Sequence, residues 1–81
     1  MDAKTMDYLG KRVDEARRIT GVITALKRER DNLSSRTIDS LSYGDRSYIH
    51  TVSHFRAELT AATLVCMDNA IAKNEALLAE L

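Results

Sequence analysis

The chain has 81 residues, with 12 Lys or Arg balanced by 12 Asp or Glu, so its formal net charge at neutral pH is zero. That balance argues against a protein whose main task is to grip nucleic acid or an anionic membrane through net charge. A chain this short makes at most one domain with a marginal core, for which association is the usual remedy. Its single cysteine, Cys66, removes an internal disulfide from consideration and fits a reducing cytoplasm.

The charge is unevenly spread: residues 1 to 36 hold nine bases against six acids, and residues 37 to 81 hold three bases against six acids. The halves therefore carry opposite signs, which meet when the chain folds back on itself or pairs with a copy. No apolar run approaches the ~18 residues of a membrane span, and the N-terminal MDAKTMDYLGKR lacks the apolar stretch of a signal peptide. The protein is therefore expected to stay where it is made, neither secreted nor in a membrane.

Proline is absent, and Leu9, Val13, Ala16, Ile19, Ile23, Leu26 and Leu33 recur at helical spacing, which predicts one amphipathic helix over about 5–33. Asp2 or Thr5 can cap it, and Gly10 can end a short first turn before a main helix. Gly21 costs about 1 kcal/mol relative to alanine inside a helix, and close approach of a neighbour is the expected reason for it.

The segment RTIDSLSYGDRSYIHTV breaks the helical period with Ser, Thr, Tyr and Ile. A two-residue turn on Gly44 and Asp45 pairs Tyr43 with Arg46, Leu41 with Tyr48, Asp39 with His50 and Thr37 with Val52, giving a hairpin over about 36–52. The face carrying these pairs is largely apolar and fit to cover the helices, with Asp39 available to a protonated His50. A lone two-stranded hairpin is marginal, so it docks on the helices or extends a neighbour's sheet.

Ser53 is the expected N-cap of a second helix over about 54–81, some 40 Å long. Its apolar residues fall in two stripes, Phe55, Leu59, Ala62 and Cys66 in one, and Leu64, Met67, Ile71, Leu78 and Leu81 in the other. One partner helix covers one stripe, so the second stripe, together with Asn74 as a register-setting polar residue, is the expected oligomer interface. The fold class expected is mainly α, a single αββα domain with antiparallel helices that assembles as a bundle or ring.

Few residues are arranged for chemistry. His50 and His54 lie in different elements rather than on one helical face, so they do not form a paired metal site. No glycine-rich loop leads into a helix, and a two-helix chain offers no closed pocket for a Ser/His/Asp group to work in. Neither enzyme activity nor a cofactor nor a metal is expected. The doublets that contain Arg17, Arg18, Lys27 and Arg28 could contact an anion, but neighbouring acids such as Asp14, Glu15, Glu29 and Asp31 favour a salt-bridged, solvated face. Tyr43, Arg46 and Tyr48 gather at the hairpin tip, and Tyr and Arg are the types most enriched at interface hot spots, so the tip is the expected recognition element.

The stretch Ser42-Tyr43-Gly44-Asp45-Arg46-Ser47-Tyr48, followed by Thr51-Val52-Ser53 and Phe55-Arg56-Ala57-Glu58-Leu59, resembles the hairpin and second-helix start of the lambda-type phage head-to-tail joining protein W family. The similarity covers residues 36 to 62, and both helices here read as longer than the family's. It implies a virion component that forms a ring between portal and tail, bound to itself and to other neck proteins, with no catalytic residues.

Three functions follow from these readings. The first is a virion assembly protein of the joining type. The second is a small phage inhibitor of host defence that masks a protein or sequesters a nucleotide signal, using the helix 1 bases and the hairpin tyrosines. The third is a bacterial helical oligomerisation adaptor.

Overall fold

The computed structural model describes residues 3 to 81 as a long helix α1 (Ala3–Ser34), strands β1 (Leu41–Tyr43) and β2 (Arg46–Tyr48), a short 3-10 turn (Val52–His54) and a helix α2 (Arg56–Ala79). This is the αββα order expected from the periodicity. Helix α1 runs through Thr5 and Gly10 without a break, so neither marks a boundary, while Asp2, the other proposed cap, lies outside the described residues. The helix ends where Ser34 and Ser35 turn their hydroxyls back to the carbonyls of Asp31 and Asn32. Such local bonds offer the chain an alternative to another helical turn.

The helices are antiparallel, and two ion pairs join them. Arg30 Nε meets Asp68 Oδ1 at 2.7 Å, and Lys27 Nζ meets Glu75 Oε1 at 3.3 Å. Each joins a base of the positive half to an acid of the negative half, so part of the charge asymmetry is used within one chain. Between them the core is thin: Ile19, Ile23 and Val52 are its only buried apolar residues among those described. Leu26 and Leu33 of α1 and Leu64, Met67, Ile71 and Leu78 of α2 are half-buried.

The hairpin has the expected register at its tip, with Leu41 opposite Tyr48, Ser42 opposite Ser47 and Tyr43 opposite Arg46. Gly44 takes φ 62° and Asp45 a negative φ, the pattern of a type II′ turn, which matches the twist of the flanking strands. The strands are shorter than predicted. Asp39 and His50, and Thr37 and Val52, are not paired: Asp39 Oδ1 lies 3.5 Å from Arg56 Nε instead, and Val52 is fully buried in the 3-10 turn.

Ser53 is not a helix cap. Its hydroxyl donates to the carbonyl of His50 at 2.6 Å, which closes the turn before Phe55, and Phe55 with φ −140° precedes α2 without any side-chain cap. What ties the connection down is Thr60, the one buried polar residue described. Thr60 Oγ1 accepts the amide of Ile38 at 2.9 Å and donates to the carbonyl of Arg56 at 2.8 Å.

Candidate functional site

The hairpin is built from the turn outward, and its two faces differ in chemistry. On one face Ser42 and Ser47 share a hydroxyl–hydroxyl bond of 2.8 Å, the cross-strand pairing of small polar residues that a solvated sheet favours. On the other, Tyr43 and Tyr48 stack with ring centroids 4.6 Å apart and planes 8° from parallel. These two residues are diagonal neighbours in the ladder, and that spacing lies within reach of aromatic side chains. The adjacent Tyr48 phenol holds the Tyr43 phenol above its usual range.

The hairpin does not lie down on the helices. Every strand residue is exposed except Tyr48, which is half-buried, and Tyr43 keeps 61 % of its surface in solvent. The expectation that the apolar face covers the helical core is therefore not met. The physical reason is in the connections: Val52 and Ile38 already fill the space over the helices, and the Thr60 bond fixes the entry to β1. Arg46, opposite Tyr43, has no ion-pair partner among the described residues. The tip thus offers two stacked phenol rings and an unpaired guanidinium beside a tight turn.

The residues expected at an oligomer interface have another place. Leu64, Met67, Ile71, Asn74 and Leu78 are half-buried and recur at three and four on the side of α2 that also carries Asp68 and Glu75 toward α1. That stripe is the one α1 covers. Asn74 donates from Nδ2 to the carbonyl of Ala70 at 2.8 Å, so its amide is engaged within its own helix. Leu81 follows α2 and lines an open concavity with Leu9, Arg12, Val13, Ala16 and Leu78. The other stripe is half-buried at Phe55 and Leu59 and exposed at Ala62 and Cys66.

The helix 1 bases do not converge. Arg18 is bound to Glu15, whose carboxyl it pulls below the ordinary range, and Lys27 is paired with Glu75 on the other flank. Arg17 and Arg28 stand on the exposed back of α1, eleven residues apart. Cations committed to carboxylates and pointing to different sides make a poor anion site. Gly21 has no neighbour within 4 Å of where a Cβ would stand, so close packing inside the chain does not explain it.

One surface stands out that the hydrophobic pattern alone did not separate from the core. Helix α2 ends at Ala79, and Leu81 reaches only to the level of Leu9 to Ala16, so the turns of α1 before Leu9 extend past it. Met6, Leu9 and Val13 are 62 %, 40 % and 49 % exposed there. The periodicity predicts two helices nearly equal in length and carries no signal for this overhang, which follows from an α1 of 32 residues beside an α2 of 24. No family model, curated protein or solved structure matches the chain.

Proposed function

We propose that this chain is a non-enzymatic assembly protein of the bacteriophage head-to-tail joining type. In this reading, copies associate through their helices and present the hairpin tip to a larger protein assembly. The observation that supports it is the undocked hairpin: stacked Tyr43 and Tyr48 with unpaired Arg46 stand clear of a helical scaffold that does not need them for its core. Large amphipathic rings and a guanidinium are the groups that most often carry binding energy when they are buried at an interface. The W-like turn segment falls on this same hairpin and on the start of α2.

No helix among the described residues is long and apolar enough to cross a membrane, which accords with work in a virion or the host cytoplasm. Deleting the coding sequence from its phage genome and examining the lysate by electron microscopy tests the proposal. Filled heads and finished tails that fail to join are the expected result. Joined, infectious particles would reject it, and a defect seen only in hosts with an active defence system would select the inhibitor reading instead.

A further inference from the structure

The chain exposes 6365 Å² of surface, whereas a compact folded monomer of 9.1 kDa exposes about 4,900 Å². Its radius of gyration is 18.2 Å, against about 12 Å for a compact chain of this length. The excess surface, about 1,500 Å², is more than the roughly 800 Å² that each partner contributes to a standard protein interface.

Much of the apolar part lies at one end. Met6, Leu9, Val13 and Ala16 are spaced by three, four and three residues, the knob spacing of a coiled-coil seam. This seam borders the stripe that meets α2 and turns away from it: Ala16, half-buried, lies only about 20° around the helix from buried Ile23, whereas exposed Val13 stands about 120° from buried Ile19. Beside it is the concavity of about 570 Å³ that Leu9, Arg12, Val13 and Ala16 form with Leu78 and Leu81. Met6, Leu9 and Val13 remain exposed among the described residues, while Ala16, Leu78 and Leu81 are half-buried.

We propose that the occupant is a second copy of this chain, whose α1 lies antiparallel along the first through the Met6–Ala16 seam. The inference rests on the self-association in the proposed function and assigns it to a surface. The seam is self-complementary in that direction: Leu9 of each copy meets Val13 of the other, and Met6 of each meets Ala16, large against small. In this register residues 3 to 8 of each α1 lie opposite residues 14 to 19 of the other copy, alongside the end of its α2, where they shield Leu78 and Leu81. Residues 3 to 16 hold three bases and three acids, so two such segments meet without net repulsion. The antiparallel arrangement also sets opposite helix dipoles side by side.

Gly10 gains a reason in this arrangement. It costs about 1 kcal/mol in mid-helix relative to alanine, and a Cβ there would meet nothing within 4 Å inside the chain. On the flank of the seam it lets a second helix come close.

Sedimentation equilibrium on the full chain and on the double variant Met6→Asp/Val13→Asp tests the proposal. The unmodified chain should sediment as a dimer or a multiple of one, and the variant at half that mass or lower with unchanged helicity, since both side chains are exposed in the single chain. A second measurement fixes the register. In a Cys66→Ser background, Leu9→Cys and Val13→Cys chains, mixed and oxidised, should form the mixed disulfide in preference to either symmetric one. A monomeric unmodified chain would overturn both this surface and the self-association of the proposed function. An associated double variant, or symmetric disulfides in preference to the mixed one, would overturn this surface alone.

Discussion

Thr60 Oγ1 accepts the backbone amide of Ile38 at 2.9 Å, and through this one bond a helix side chain holds the chain that leads into the hairpin. The hydroxyl is buried and also donates within α2, so both of its hydrogen-bonding roles are used. Thr60→Val keeps the shape but leaves the Ile38 amide without its partner. The expected loss is about 1–3 kcal/mol in urea denaturation, with the helices still formed in the folded state. A variant as stable as the unmodified chain would show that the amide finds another acceptor.

The Arg30–Asp68 pair predicts a pH dependence. The guanidinium hydrogen-bonded to Asp68 holds its carboxyl below the ordinary range. A carboxyl depressed in the folded state contributes stability above its unfolded pKa and loses that contribution as pH falls through the folded value. Asp68→Asn should therefore melt lower than the unmodified chain at neutral pH. The gap should begin to close below about pH 4, the ordinary aspartate value, and vanish in stronger acid. Both side chains are partly exposed, so salt should narrow the gap too. A gap that is independent of pH would assign the effect of Asp68→Asn to something other than charge.

Gly44 sits at φ 62° with open space around its missing Cβ, so a side chain there meets backbone strain and no steric clash with neighbours. Gly44→Val should cost on the order of 1 kcal/mol or more and loosen the Tyr43–Tyr48 stack. Nuclear magnetic resonance would show the loss as collapsed ring-current shifts on the two tyrosines. Far-ultraviolet circular dichroism should keep its helical signal. Unchanged tyrosine shifts would mean that the turn tolerates the strain in another conformation.

Much of this architecture is legible in the residues, and the failures have physical causes. Gly44 followed by Asp45 fixes a two-residue turn, and that alone sets Tyr43 opposite Arg46 and Leu41 opposite Tyr48. Further from the turn, local pairing competes with tertiary bonds. The Ile38 amide is taken by Thr60, and Ser53 turns back to His50 instead of capping α2, so the ladder stops after three residues. Periodicity shows that Leu64, Met67, Ile71 and Leu78 share a face, but not whether α1 or another copy covers it. The answer depends on where α2 stops against α1, a relation between residues far apart in the sequence, as in the pairs Arg30–Asp68 and Lys27–Glu75, which span 38 and 48 positions.

The hairpin tip is the proposed recognition element, and the variant Tyr43→Ala/Arg46→Ala/Tyr48→Ala separates recognition from packing. Tyr43 and Arg46 are exposed and Tyr48 is only half-buried, so the helical core does not depend on them. The measurement is paired: the melting temperature and sedimenting mass of the purified triple variant, and its ability to restore joined particles to a phage lacking the gene. A melting temperature close to that of the unmodified chain, unchanged mass and no joined particles are the expected result. Restored particles from a variant with a lowered melting temperature would contradict it, because the tip would then serve the fold and not a partner.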